Sequence, residues 1–174
     1  MTLQILDCEQ RSDDWFEARR GIPTASEFKA ILSKGRGDAP SKTRLSYMRR
    51  LAGEIITGSP GETFESQAMI RGREMEDEAR RFYIFMRDAE PQHVGFIRNG
   101  RKGCSPDSLL GDDGMLEIKT QRADLLIETI LKDQFPPEHK AQCQGQLWVS
   151  ERKWLDLVVY WPGMPLFVKR TERS

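Results

Sequence analysis

The chain has 174 residues, with 27 lysine and arginine against 27 aspartate and glutamate and an apolar fraction of 38%. This is enough chain and apolar content for one domain spanning 1–174 with a real core. It excludes whole-chain disorder, and zero net charge excludes a global field that draws in nucleic acid, so any such contact must come from a local patch. Cys8, Cys104 and Cys143 are too few and too far apart for a disulfide frame, a zinc site or an iron–sulfur cluster. With no basic-then-apolar leader and no apolar run near about 18 residues, a cytoplasmic location without a membrane span is expected.

Taken in order, Ser12–Gly21 reads as a short helix with Ser12 as N-cap, Asp13 and Asp14 at its positive end and Gly21 closing it. Trp15 and Arg19 share a face, with Trp15 as core and Arg19 covering it. Thr24 and Glu27 have capping-box spacing, so a second helix is expected to open there. Ser26 then lies in a first turn whose backbone N–H groups suit an anion. From Lys29 to Arg50 the chain carries seven cations against Asp38 alone, a local basic patch that also fits a solvated helix face. Ser33–Ser41 is a basic loop. A helix over Thr43–Ile56 places Leu45, Met48, Leu51, Ala52, Ile55 and Ile56 on its apolar side. A longer helix, Ser66–Met86, has the stripe Met75, Ala79, Phe82, Tyr83 and Met86. Glu74 and Asp77 point away from it, and Glu76 and Glu78 flank it.

Strands are expected over Gln92–Arg98, Cys104–Leu110 and Met115–Thr120, with Asn99-Gly100 as a hairpin turn. Helices over Ala123–Lys132 and from Pro137 through His139, Gln142, Gln146 and Trp148 come next, Gln142 and Gln146 sharing a face. Strands Trp154–Trp161 and Leu166–Arg170 end the chain. This order predicts a mixed central sheet flanked by helices, in the α/β or α+β class.

The chemistry concentrates in Cys104–Thr120. In Met115-Leu-Glu-Ile-Lys119, the period of two puts Leu116 and Ile118 on one face and Glu117 and Lys119 on the other. The turn Gly111–Gly114 folds the preceding segment back, so Asp107 can approach Glu117. Two carboxylates held together repel unless a cation lies between them, and hard oxygen ligands suit Mg²⁺ or Mn²⁺. A lysine beside such an ion can orient or help activate a water, which are the parts a phosphodiester hydrolysis needs. A solvated surface hairpin is the bland alternative for this stretch.

Five ordered blocks carry a resemblance. They are Trp15–Ser26, Arg71–Glu76, Cys104-Ser-Pro-Asp107, Leu116-Glu-Ile-Lys119, and Ala141-Gln-Cys-Gln144 with Leu147-Trp148. Together they resemble the phage lambda exonuclease and YqaJ-type viral recombinase family, within the PD-(D/E)xK superfamily with its restriction-endonuclease-like core. The resemblance implies that Asp107, Glu117 and the Ile118 carbonyl hold Mg²⁺ (Mn²⁺ substituting), that Glu76 completes the acidic site, that Lys119 positions the attacking water, and that Gln142 aligns substrate or water. It implies that Arg19 and Ser26 receive a 5′-phosphate, with Trp15 near the DNA end and Ser105 touching the backbone. The implied activity is 5′-to-3′ digestion of one strand of duplex DNA in a bacterial cell, of phage or prophage origin, leaving a 3′ single strand for recombination. Implied partners are duplex DNA ends, a single-strand annealing protein and further copies in a trimeric ring. An endonuclease on the same core and a catalytically silent end-binding protein are the alternatives. The family's glycine after Pro-Asp is Ser108 here, and the chain stops before the further C-terminal helix that family members often carry.

Overall fold

The computed structural model describes residues 2–37, 39–61 and 66–174; Asp38, the one acid in the basic run, lies outside them. Its strands are β1 (Leu3–Leu6), β2 (Pro91–Gln92), β3 (Phe96–Asn99), β4 (Lys102–Cys104), β5 (Ser108–Leu110), β6 (Gly114–Thr120), β7 (Trp154–Tyr160) and β8 (Phe167–Glu172). Its helices are α1 (Asp13–Arg19), α2 (Phe28–Leu32), α3 (Lys42–Thr57), α4 (Gln67–Arg87), α5 (Ala123–Lys132) and α6 (Pro137–Ser150).

Two sheets form. One has the order β1-β3-β4, the other β2-β5-β6-β7-β8. In the larger sheet β6 and β7 are parallel, and α5 and α6 make the crossover that a parallel pair requires. Alternation along β6 and β7 sorts side chains to two faces. Met115, Leu155, Leu157 and Val159 pack with Leu126 of α5 and Cys143 and Leu147 of α6. Leu116, Ile118, Val158 and Tyr160 pack with Ala79 and Tyr83 of α4. Helices therefore cover both faces of a mixed sheet, the architecture expected from the element order.

Several expectations are corrected. A single strand over 92–98 does not form: β2 belongs to the larger sheet and β3 to the smaller. Between them Gly95 lies so close to Cys8 that a Cβ would stand 2.2 Å from the Cys8 carbonyl oxygen. Likewise the strand expected over 104–110 is broken at Pro106, where the chain leaves one sheet and enters the other. β1 was not anticipated; its Ile5 is half exposed, which weakens its apolar signal. The Thr24–Glu27 capping box does not form. Glu27 N–H reaches the Thr24 carbonyl in a 3-10 turn over Ala25–Glu27, and the Thr24 hydroxyl makes no cap bond. On α3 the side chain that is buried is Tyr47, whereas Met48, Ile55 and Ile56 are exposed, because this helix meets the body of the protein mainly through α2. On α4 the stripe narrows to Ala79 and Tyr83, with Phe82 and Met86 about half exposed. Glu74 and Asp77 do face solvent, and Glu76 and Glu78 do stand at its border.

Candidate active site

The site begins where β5 ends as a partner of β6. Ser108 pairs with Leu116, and past that point β6 keeps only β7 beside it. Asp107 sits at this opening. Its N–H donates to the Leu116 carbonyl at 3.0 Å, and its Oδ2 accepts from the Ile118 N–H at 2.5 Å. In a strand the N–H and C=O of one residue point to the same side, so the Ile118 carbonyl opens onto the edge that Asp107 occupies. Gln10 fixes the loop from outside, its Nε2 donating to the Val94 and Pro106 carbonyls.

Glu117 and Lys119 share the sheet face beneath α6, as the alternation predicts. Lys119 Nζ lies 2.8 Å from Glu117 Oε1. One turn apart on α6, Gln142 Nε2 donates to Glu117 Oε1 at 2.6 Å and Gln146 Nε2 to Oε2 at 2.7 Å. Both glutamines of the shared face are thus turned inward to one carboxylate. Gln146 is 1% exposed, so its amide had to find a partner, and Glu117 dictates which end of the amide faces it.

Burial, then Glu117 and Glu76, push the Asp107 carboxyl well above the ordinary carboxylate range, against the opposing pull of Lys119 and the Ile118 N–H. Burial alone would lower Lys119, but Glu117 and Asp107 outweigh it and hold the ammonium protonated. Crowded carboxylates with one ammonium among them form a site that a divalent cation would relieve. The oxygens suited to a hard cation are those of Asp107 and Glu117 and the Ile118 carbonyl. Among the described residues no three His, Cys, Asp or Glu side chains stand together as ligands of one ion. Glu76 is instead tied to Arg80, whose Nη2 donates to Glu76 Oε1 at 2.5 Å and to the Asp107 carbonyl at 3.3 Å. Arg80 Nε also donates to Ser108 Oγ at 3.1 Å, and Ser108 Oγ donates to the Asp107 carbonyl at 2.6 Å. The serine at the position of the family's glycine is therefore one end of a clamp that docks Glu76 and α4 beside Asp107.

The N-terminal residues gather elsewhere, around a cavity of about 760 Å³ whose lining includes Trp15, Arg19, Ser26, Tyr47, Arg50 and Arg73. The Arg19 guanidinium lies 4.0 Å over the Trp15 ring, matching the predicted stacking, although Trp15 is only partly buried. Arg19 Nη2 reaches Thr24 Oγ1 at 3.5 Å, which in turn lies 3.2 Å from Ser26 Oγ. Arg19 and Ser26 are thus brought together, with Ser26 exposed. Burial lowers the Arg19 pKa, partly offset by Tyr47 and Glu27. Ser105 accepts the Trp15 indole N–H at 2.8 Å, so its hydroxyl holds the aromatic ring in place.

Sequence reasoning placed Asp107, Glu117, Lys119, Glu76 and Gln142 in one neighbourhood. It gave no role to Gln146, Arg80 or Gln10. The spacing Gln142–Gln146 and the helical spacing Glu76–Arg80 were signals for two of these; Gln10 has no local signal, because its partners lie more than eighty residues away.

The family model of the YqaJ-like viral recombinase domain matches residues 14–153 of the chain. Among solved structures the chain is similar to LHK-Exo, an alkaline exonuclease from Laribacter hongkongensis, at 34% identity over 94% of this chain and 83% of that one. The TM-score is 0.83 for its complex with dAMP and 0.82 for a second structure. It shares its fold with a phage related exonuclease from Haemophilus somnus 129PT, at 14% identity and a TM-score of 0.64 over 88% of this chain and 85% of that one. Comparison with curated proteins gives no match. A domain match over most of the chain, a relative at this identity, and the Pro-Asp, Glu-x-Lys and glutamine-helix blocks in their expected places make this chain a member of the YqaJ-like viral recombinase family, with the PD-(D/E)xK architecture.

Proposed function

We propose that the protein is a divalent-metal-dependent exodeoxyribonuclease that digests one strand of duplex DNA from a 5′-phosphorylated end and leaves a 3′ single strand. The observation that carries this reading is the convergence of Asp107, Glu117 and Lys119 at the open edge of β6. The likeness to LHK-Exo, a protein described as an alkaline exonuclease and crystallised with dAMP, supports it. Asp107, Glu117 and the Ile118 carbonyl would hold Mg²⁺ or Mn²⁺, with Glu76 acting at its margin; a bound ion would supply charge neutralisation and a water of lowered pKa.

The chain's own residues do the rest. Gln142 and Gln146 fix both oxygens of Glu117, so the carboxylate is preorganised. Lys119, held protonated, donates hydrogen bonds that orient a water and meet the charge developing on the phosphate. Water oxygen bonds to phosphorus as the bond from phosphorus to the 3′-oxygen breaks, with no covalent enzyme intermediate. The released nucleotide takes a proton on its 3′-oxygen, and the shortened strand begins with a new 5′-phosphate. Arg19 and Ser26 receive that phosphate, so each cut regenerates the end that the pocket recognises. The family's partners extend the proposal to duplex ends, a single-strand annealing protein and self-association.

The test compares three substrates with Mg²⁺: a linear duplex with 5′-phosphate, the same duplex with 5′-hydroxyl, and a covalently closed circle. The reading predicts rapid digestion of the first, slow digestion of the second and an intact circle. Equal rates on the two linear ends would remove Arg19 from phosphate recognition. Cutting of the circle would establish an endonuclease on the same core.

A further inference from the structure

The end pocket is the first of three hollows in a row. It shares Arg20 and Ile22 with a smaller cavity of about 400 Å³ that Arg98 and Arg101 also line. That cavity shares Pro23 and Arg101 with a groove of about 790 Å³ between α2 and α6. The groove has an apolar floor in which Phe28, Ile31 and Leu32 meet Gly145 and Trp148. Its shape is set by backbone packing, because a Cβ on Gly145 would stand 2.4 Å from the Phe28 ring. Trp148 is 54% exposed, an unusual amount for a tryptophan on a helix whose neighbours Leu147 and Val149 are fully buried.

The rim of the groove is cationic. Arg101, Lys102 and Arg173 line it, and among the described residues no aspartate or glutamate lines either the groove or the smaller cavity. Glu17 pairs with Arg20, and Glu151 holds Asn99, both from outside the lining. Lys102 Nζ lies over the Trp148 ring, 4.4 Å from its centre, so the ammonium covers one face of the exposed indole.

We propose that this track is a binding path for single-stranded DNA, in which Lys102 leaves the Trp148 ring for a phosphate and frees that face for a stacked base, with Arg98, Arg101 and Arg173 as further phosphate contacts. A basic groove with an exposed aromatic is the combination by which proteins hold single strands without reading sequence. A purely apolar peptide would use the floor and leave the cations unanswered; a nucleic acid strand uses both. Continuity with the end pocket gives the track a direction. The inference rests on the exonuclease reading only for which strand arrives.

The test reads binding alone, by fluorescence anisotropy of a short 5′-hydroxyl oligo(dT) in EDTA across a salt series. Neither the metal site nor the phosphate pocket is engaged, so failure here is distinct from failure of the exonuclease reading. The double variant Arg101→Glu/Lys102→Glu is expected to lose about tenfold or more in affinity and to show a shallower salt dependence. Trp148→Ala is expected to lose about tenfold. Should Trp148→Ala not fold, the charge-reversed variant at the β3–β4 hairpin decides alone. Absence of binding by the unmodified protein, or variants equal to it, would overturn the proposal and leave the groove to a protein occupant.

Discussion

Lys119 keeps its proton because two carboxylates surround it, and this decides how it can act. A protonated amine cannot accept a proton from water, but it can hold a water in line and answer charge on the phosphate. Lys119→Ala is therefore expected to cut the rate of cleavage by about 10²-fold or more with end binding retained, read by product formation beside anisotropy on the same duplex. Cleavage near the unmodified rate would remove Lys119 from the chemistry. Asp107 gives a prediction of opposite sense for stability. Its folded pKa is raised, so the folded state favours the protonated form. The associated stability is complete below the ordinary carboxylate value of about 3.9 and is lost as pH rises toward the raised value. Asp107→Asn removes that loss. In metal-free buffer it is expected to melt above the unmodified protein at neutral pH and to lose the advantage in acid, and with Mg²⁺ supplied it is expected to be inactive. A lower melting temperature at neutral pH would show that burial of Asp107 carries no such cost. Arg80 joins Glu76, Ser108 and the Asp107 carbonyl. As a positioning residue it predicts that Arg80→Gln raises the Mg²⁺ concentration needed for half-maximal rate several-fold while 5′-phosphate dependence is unchanged. Arg80→Lys is expected to restore little, because it lacks the fork that spans these partners.

At the scale of elements, α6 and α4, on opposite faces of the sheet, do different work. α6 delivers Gln142 and Gln146 to Glu117, whereas α4 is anchored through its buried face. There Tyr83 Oη donates to Asp156 Oδ2 at 2.7 Å, and Arg170 Nε donates to Asp156 Oδ1 at 2.8 Å. Asp156 is 1% exposed, and Arg170 caps it while lying 3.7 Å over the Trp154 ring. Asp156→Ala leaves the Tyr83 hydroxyl and the Arg170 guanidinium without their acceptor, so a loss of about 2–3 kcal/mol is expected in denaturant melts, discounted for the half-exposed arginine. A loss under about 0.5 kcal/mol would mean that α4 is held by its apolar contacts alone. The helices of this layer, their order and the β5–β6 hairpin were legible because periodicity and turn residues act within a few positions. The splitting of the strands at Gly95 and Pro106 was not, because it depends on Cys8 and on which sheet each half joins. The Arg80 clamp was hidden for the same reason: Glu76–Arg80 is a common helical pair, and only the fold adds Ser108 and Asp107 to it.

For the whole molecule, the proposed function makes the small sheet, α1 and the 3-10 turn the side that would bind a DNA end, and the edge of β6 the side that would cut. The blocks that identified the family were readable because each is a local string, yet their meaning depends on bringing residues such as Arg19 and Lys119, a hundred positions apart, onto one protein. A net charge of zero concealed the basic track, since its cations come from β3, the turn into β4, the start of β4 and the C-terminal residues. No helix among the described residues is long and apolar enough to cross a membrane. The most direct measurement is a time course on linear 5′-phosphorylated duplex, labelled at the 5′ end in one sample and the 3′ end in another, with Mg²⁺ and with EDTA. The account predicts early release of the 5′ label as a mononucleotide, late release of the 3′ label, and nothing in EDTA. Early release of the 3′ label, or undiminished release in EDTA, would contradict it.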